Sequence, residues 1–148
     1  LGLVEIRPLE EADEAEATSV VGSGRWGRFP RPTPLSEAAS LLKKFLGITG
    51  LHVVGSDKQS IERVAVACGS AGSFLKQAIA RNCQLFVTGE TNFHTCLEAE
   101  ARKVALLLTG HYASERFGVE RLAQQLSCQF PSLEIWASQA ESDPLRWL

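Results

Sequence analysis

The 148-residue sequence contains no methionine, and no run of apolar residues approaches the length of a membrane span. A helix that crosses a bilayer needs about 20 apolar residues in succession, and the first residues lack the pattern of a signal peptide. We therefore expect a cytoplasmic protein with no membrane partner. Because a complete gene product begins with methionine and this chain begins with Leu1, we also expect it to be a piece of a longer protein.

An excess of positive charge is absent as well. Lysine and arginine together number 15, against 17 aspartates and glutamates, which gives a formal net charge of -2. A protein of this composition has no basic field to hold a phosphate backbone, so nucleic acid is not an expected partner. Small anionic ligands are not excluded.

The four cysteines, Cys68, Cys83, Cys96 and Cys128, show no CxxC pair or other spacing typical of a zinc site. Three of them fall inside predicted strands or helices. We expect reduced thiols in the core of a cytosolic protein, because disulfides are typical of small secreted domains.

Several signatures of known sites are also missing, among them a P-loop, a GxSxG motif and a Cys-His nucleophile pattern. "GSGRWG" at residues 22–27 matches GxGxxG, but it follows no convincing strand, so it predicts a turn and not a dinucleotide site. "CGSAGS" at residues 68–73 could present backbone N–H groups to an anion. We expect Trp26 and Phe29 to pack on the domain body or a partner, since they would otherwise form an exposed apolar patch.

Apolar residues make up 45% of the chain, enough for the core of one globular domain. Residues 3–7 alternate apolar and polar as a half-buried strand does, whereas residues 10–16 are acidic and residues 22–34 are rich in glycine and proline. These features predict a strand, a linker and a loop. We accordingly divide the chain into residues 1–21, the end of a preceding unit with its linker, and residues 22–148, an α/β lobe.

Beyond the loop, strands and helices alternate at short spacing. The periodicity predicts helices at residues 35–45, 73–82, 94–103 and 111–129. It predicts strands at residues 51–55, 63–69, 84–89, 104–110 and 133–138. This alternation is typical of a three-layer α/β sandwich with a largely parallel sheet.

Three of these strands end in similar turns, "ACGSAG", "VTGET" and "LTGHY", which a parallel sheet would bring to its carboxyl edge, where α/β proteins build ligand sites. In the third turn, His111 and Glu115 are four residues apart. A helix beginning near His111 would place both on one face, within reach of a shared Zn, Mn, Fe or Ni ion. The alternative is that His111 caps the helix while Glu115 interacts with its positive end.

In the second turn, Glu90 and His94 repeat the same spacing. Each could be a metal ligand, a partner of a ligand or a proton carrier, and each could equally be a solvated loop residue. Two such pairs on one edge bring together side chains of the types that ligate metals, and this favours a metal site.

The order of these motifs resembles the C-terminal half of the Nif-three-like family, whose members are also called type-2 GTP cyclohydrolase I homologues. The resemblance covers residues 22–144 through "GSGRWG", "VAVACGSAGSFL", "LFVTGETNFH" and "LLLTGHYASERFGVERLAQQL". It implies an α/β protein of two similar lobes with two divalent metal ions in the cleft between them. It also implies that His111 and Glu115 are metal ligands, and that Glu90 and His94 line the cleft as candidate catalytic residues without an assigned step.

The sequence departs from that family where the N-terminal lobe should be, because the paired histidines and the aspartate that supply the other ligands have no match. The resemblance thus implies a C-terminal lobe with half a metal site, which alone binds metal weakly or not at all. Its implied partners are the missing N-terminal lobe, further copies in a ring-like homo-oligomer and a small-molecule substrate. Residues 1–21 resemble the tail of a domain that longer members carry between the lobes.

Three functions remain open at this point. The first is a metal-dependent hydrolase that acts on a nucleotide-like or other small substrate through a water activated by two ions. The second is a non-enzymatic metal-binding or regulatory protein, and the third is a protein-interaction module. The four candidate site residues favour the first two over the third.

Overall fold

The computed structural model of the protein describes residues 1–11 and 21–146. Its strands are β1 (Val4–Glu11), β2 (Gly22–Pro34), β3 (His52–Val54), β4 (Ser60–Ala67), β5 (Leu85–Thr88) and β6 (Ala105–Leu108). Its helices are α1 (Leu35–Leu46), α2 (Leu75–Ala80), α3 (Phe93–Ala101) and α4 (His111–Gln129), with a 3-10 turn at Gly72–Phe74. All four predicted helices are present, with their ends shifted by a few residues.

The six described strands form a sheet in the order β1-β2-β4-β5-β6-β3. The strands β4, β5 and β6 are parallel to one another, whereas the pairs β1/β2, β2/β4 and β3/β6 are antiparallel. Parallel pairing occurs where a helix crosses from one strand to the next, as α2 and α3 do, since such strands need a long crossover connection. The predicted α/β class is confirmed, and the sheet is mixed, with its parallel part confined to the centre.

Side chains of the central strands alternate between the two faces of the sheet. On one face, Phe86 and Leu106 pack beneath α2 and α3. On the other face, Leu85 and Leu107 pack beneath α1. All four side chains are completely buried, and burial of such a side chain contributes roughly 1.5–3 kcal/mol. Both faces therefore need a helical cover, which gives the predicted three layers.

The prediction of a loop at residues 22–34 is wrong, because this segment is the long strand β2. It pairs with β1 on one side and with β4 on the other. Its pairing with β4 shifts register between Arg28 and Thr33, the interval that contains Pro30 and Pro32. Proline has no N–H to donate and is tolerated in a strand at such irregularities, so its presence did not exclude a strand.

The strand predicted at residues 133–138 is also wrong, because this segment has no regular secondary structure. Leu133 and Trp136 are 58% and 67% exposed. An alternating pattern indicates a segment that fits a half-buried sheet surface, but a strand forms only where a neighbouring strand offers free backbone groups. This segment pairs with no strand of the described residues.

The aromatic residues of β2 behave as predicted. Phe29 is buried in the core beside α1, and Trp26 packs against the core on the opposite face. The guanidinium groups of Arg63 and Arg81 lie 5.8 and 5.9 Å from the Trp26 ring centroid. The expectation that Trp26 and Phe29 pack on the domain body is therefore confirmed.

The first strand is part of the same sheet, since β1 pairs with β2 and its Leu9 is 1% exposed. Residues 12–20, which include most of the acidic linker, lie outside the described residues. The assignment of residues 1–21 to a preceding unit stays a prediction.

Helix α4 is mostly exposed, and Ser114 is its one buried residue. It lies beside α1, where the Phe45 and Phe117 rings meet edge to face at a centroid distance of 5.4 Å. Neither α4 nor any other helix of the described residues is long and apolar enough to cross a bilayer.

Candidate functional site

The carboxyl ends of β4, β5 and β6 lie side by side, and a glycine follows each strand within two residues: Gly69, Gly89 and Gly110. The Gly89 N–H donates a hydrogen bond to the Gly69 carbonyl oxygen (3.0 Å), and the Gly110 N–H donates one to the Gly89 carbonyl oxygen (2.8 Å). The three turns are thus joined through their backbones. The prediction that they meet at one edge of the sheet is confirmed.

Gly89 sets the close spacing of these turns. A Cβ at this position would lie 2.6 Å from Ser114 Oγ and 2.7 Å from the Gly69 carbonyl oxygen. The Gly69 oxygen belongs to the backbone and cannot rotate away, so a larger residue at position 89 would force the turns apart.

Ser114 ties α4 to the turn after β4. Its hydroxyl donates to the His111 carbonyl oxygen (2.8 Å) and accepts from the buried Gly69 N–H (2.8 Å). A buried N–H needs such a partner, because leaving it unpaired costs free energy. The first turn of α4 is therefore held at a fixed place above the strand ends.

Three ionisable side chains, those of Glu90, His111 and Glu115, meet beside these turns. His111 Nδ1 lies 2.8 Å from Glu90 Oε1, and His111 Nε2 lies 3.4 Å from Glu115 Oε2. All three side chains are about half-exposed. The predicted closeness of His111 and Glu115 is confirmed, whereas their role as metal ligands stays a prediction.

Glu90 determines which nitrogen of His111 carries a proton. An ionised carboxylate can only accept a hydrogen bond, so Nδ1 is the donor and Nε2 bears the lone pair when the ring is neutral. The hydrogen bond to Glu90 raises the pKa of His111 above its ordinary value, and the negative charge of Glu115 acts in the same direction. The expectation that His111 caps α4 is not met, since Gly110 occupies the cap position.

His94, the fourth sequence candidate, does not join this cluster. It is the second residue of α3, where its exposed ring lies 6.2 Å from that of Phe93. Glu90 precedes Asn92, whose side chain caps α3 by accepting from the Thr95 N–H. Because Glu90 lies before the helix, the spacing of four residues does not bring it to His94.

A cavity of about 400 Å³ opens beside His111. Glu90 and Thr91 line it, together with His52 on β3 and Arg146 near the C-terminus. Its volume is within the range of roughly 300–1,000 Å³ typical of pockets for small molecules. The sequence candidates missed Thr91, His52 and Arg146, because each reaches the cavity through the fold and belongs to no local motif.

The segment that carries Arg146 is held against α4. Arg116 forms an ion pair with Glu141 at 2.8 Å, and the Tyr112 hydroxyl donates to the Glu141 carbonyl oxygen at 3.3 Å. Both partners on α4 lie within its first two turns. The C-terminal segment thus forms one wall of the cavity.

All four cysteines are free, but Cys83 alone is buried, so the expectation of core thiols is wrong for the exposed Cys68 and Cys128. Burial raises the pKa of Cys83 to about 11. Desolvation of the thiol, with the charge of Glu115 added, also raises the pKa of Cys68. Both shifts disfavour the thiolate, the form in which cysteine acts as a nucleophile or binds a metal.

Within residues 1–11 and 21–146, no three His, Cys, Asp or Glu side chains are grouped as a metal site requires. His111 Nε2 and Glu115 Oε2 lie 3.4 Å apart, while the other ring nitrogen, His111 Nδ1, contacts Glu90. The described part of the chain therefore offers two donors where a zinc site commonly has three or four protein ligands.

Comparison of the sequence with known proteins identifies the family of this chain. The model of the Duf34/NIF3 (NGG1p interacting factor 3) family matches residues 1–144. A Staphylococcus aureus protein named "GTP cyclohydrolase 1 type 2 homolog" is 29% identical over 145 residues, which cover 95% of this chain and 39% of that protein. A Pyrococcus abyssi protein of the same name is 31% identical over 130 residues, 88% of this chain and 50% of the relative.

The fold is also found in solved structures. The crystal structure of Staphylococcus aureus protein SA1388 matches with a TM-score of 0.79 and 28% identity, covering 88% of this chain and 43% of that one. The chain therefore spans between about two fifths and one half of the length of these three proteins. Because the family model matches nearly the whole sequence, the chain belongs to the Duf34/NIF3 family.

Proposed function

We propose that this chain is the C-terminal lobe of a protein that holds divalent metal ions between two lobes and hydrolyses a nucleotide-like or other small substrate. The observation that carries the proposal is the approach of His111 Nε2 to Glu115 Oε2, 3.4 Å apart at the carboxyl edge of the sheet. The names of the relatives, which refer to GTP cyclohydrolase, support the class of substrate.

The donor set fits a divalent ion of the zinc, manganese or iron type. Imidazole nitrogen and carboxylate oxygen are the ligands these ions share. Donors about 2.1 Å from a tetrahedral ion are separated by about 3.4 Å, and His111 Nε2 and Glu115 Oε2 have this separation. The two side chains would hold an ion without a change in the backbone.

Glu90 has a supporting role in this proposal. It accepts the Nδ1 proton of His111, which keeps the lone pair on Nε2 and restrains rotation of the ring. A carboxylate behind a metal-binding histidine is common, and its loss typically weakens metal binding about 10- to 100-fold. We therefore assign Glu90 to positioning His111, and His94 to the surrounding surface.

The site is proposed to be completed by the rest of a longer protein. Two protein ligands leave at least one or two positions to be filled, since zinc sites commonly use three or four. The relatives are at least twice as long as the matched region, so they have room for a second lobe. Bound ions would supply an activated water for hydrolysis, and the cavity beside His111 would receive the substrate.

Several apolar side chains are exposed in the C-terminal part of the chain, which supports contact with another lobe or another copy of the chain. These residues lie on α4 and in the segment that follows it: Phe117, Val119, Leu122, Phe130, Leu133 and Trp136. Where exposed apolar residues form a patch on a protein surface, the patch often marks an interface. We propose a homo-oligomer, and the free cysteines are consistent with a cytoplasmic protein.

The proposal is tested by measuring the metal content and activity of the longer protein, purified without chelators. Mass spectrometry should find bound divalent metal, and a screen of nucleotides and small phosphoesters should find a substrate that is hydrolysed. A His111→Ala variant should lose both, whereas His94→Ala should keep the metal. Metal that is unaffected by His111→Ala would contradict the assigned site.

Metal without turnover of any substrate would remove the hydrolase part of the proposal. The protein would then be a metal-binding or regulatory protein. The same purified samples therefore decide between the two functions.

A further inference from the structure

Gly69, in the turn after β4, is fixed by four hydrogen bonds. Its N–H donates to Ser114 Oγ at 2.8 Å. Its carbonyl oxygen accepts from the Gly89 N–H (3.0 Å), the Glu90 N–H (3.1 Å) and Thr88 Oγ1 (3.1 Å). The residue is buried, so its position is fixed by β5, by the turn after β5 and by the first turns of α4.

A side chain at position 69 would point toward the two proposed ligands, His111 and Glu115. A Cβ at this position would overlap Glu115 Oε1 and would lie 3.3 Å from His111 Nε2. The three nearest atoms belong to these two side chains and none to the backbone. The space that a methyl group would occupy is therefore the space beside the donor atoms of His111 and Glu115.

We infer that Gly69 is a positioning residue that keeps this coordination space open. The inference rests on the proposed function, since it concerns the same pair of ligands. A methyl group at position 69 displaces the Glu115 carboxylate from its place beside His111 Nε2. Because the Glu115 side chain is half-exposed, it rotates into solvent easily, and the fold is kept while the ligand pair is lost.

Backbone strain must be separated from this effect, because Gly69 has a φ of +67°. Residues other than glycine rarely adopt this conformation, so any substitution adds strain. Gly47, which ends α1, has a φ of +66° and has nothing within 4 Å of its Cβ position. Gly47→Ala therefore reproduces the strain of Gly69→Ala without entering the site.

The experiment is a Mn2+ titration of the 148-residue chain and its two variants, followed by paramagnetic broadening of the His111 ring signals in NMR spectra. This readout detects weak binding and does not depend on activity. Gly47→Ala should bind Mn2+ at His111 as the unchanged chain does. Gly69→Ala should bind at least about tenfold more weakly, with an unfolding temperature similar to that of Gly47→Ala.

Equal Mn2+ binding by Gly69→Ala and the unchanged chain would overturn the role of Gly69 while leaving the proposed function intact. A Gly69→Ala chain that does not fold, beside a folded Gly47→Ala chain, would also overturn it, because the inference requires that Glu115 gives way at little cost. Absence of broadening at His111 in the unchanged chain would overturn the ligand pair itself, and the inference with it.

Discussion

Replacing Ser114 by alanine tests whether α4 is fixed to the sheet by one hydroxyl group. In the folded protein the Ser114 hydroxyl accepts from the Gly69 N–H and donates to the His111 carbonyl oxygen. Alanine removes both bonds and leaves the Gly69 N–H buried without a partner. Ser40 provides the control, because its exposed hydroxyl in α1 donates to the Ser36 carbonyl oxygen at 2.9 Å and holds no buried group.

The expected loss follows from the buried N–H. An unpaired buried donor costs about 1–3 kcal/mol, whereas loss of an exposed hydroxyl usually changes stability by less than about 0.5 kcal/mol. Alanine has a higher helix propensity than serine, which stabilises both variants by a similar amount of up to about 0.5 kcal/mol. This contribution cancels when the stabilities of the two variants are compared. Ser114→Ala should therefore be about 2 kcal/mol less stable than Ser40→Ala, which corresponds to a melting temperature lower by about 4–8 °C.

Urea unfolding followed by far-UV circular dichroism measures this difference, and thermal unfolding provides an independent value. The urea midpoint should fall for Ser114→Ala with an unchanged slope, since the surface exposed on unfolding is the same. A Ser114→Ala chain within about 0.5 kcal/mol of Ser40→Ala would show that the hydroxyl does not hold α4, and that part of the account would be wrong.

Three further predictions concern the same region. Glu90→Gln should lower the pKa of His111, because it removes the carboxylate whose hydrogen bond raises that pKa. The ring would then stay neutral, and able to bind a metal, down to a lower pH than in the unchanged chain. An NMR titration that shows an unchanged or higher pKa for His111 would refute this. Gly89→Ala should be less stable in urea than Gly47→Ala, because its Cβ would meet backbone atoms; equal midpoints would contradict it. Cys83, with a pKa of about 11, should be alkylated most slowly at pH 8, and mass spectrometry finding it as reactive as the exposed cysteines would count against its burial.

Much of the fold follows from local patterns that the sequence displays. The helices have apolar faces and clear ends, as at Gly47, where a left-handed residue closes α1. The central strands are apolar runs that end in glycine turns, and parallel pairing brings such turns together. The closeness of His111 and Glu115 follows from helix geometry alone, because residues four apart lie on one face.

The features that were missed depend on partners distant in sequence. β2 is a strand because β1 and β4 flank it, and neither its glycines nor its prolines reveal those neighbours. Glu90 pairs with His111, 21 residues away, because β5 and β6 are parallel neighbours. Its spacing of four residues from His94, just past a strand, suggested that these two residues form a second pair at this edge, but Glu90 lies before the cap of α3 and contacts His111.

Calorimetric titration with Zn2+ or Mn2+ tests the central claim most directly, which is that His111 and Glu115 form half of a metal site. The 148-residue chain should bind weakly, and the proposed longer protein should bind tightly and in stoichiometric amount. Glu115→Gln should abolish the tight binding, whereas Glu120→Gln, a change on the same helix at a residue paired with Arg116, should leave it unchanged. A sub-micromolar, stoichiometric site in the 148-residue chain that is lost on His111→Ala would contradict the half-site, because this lobe alone would then hold a complete one.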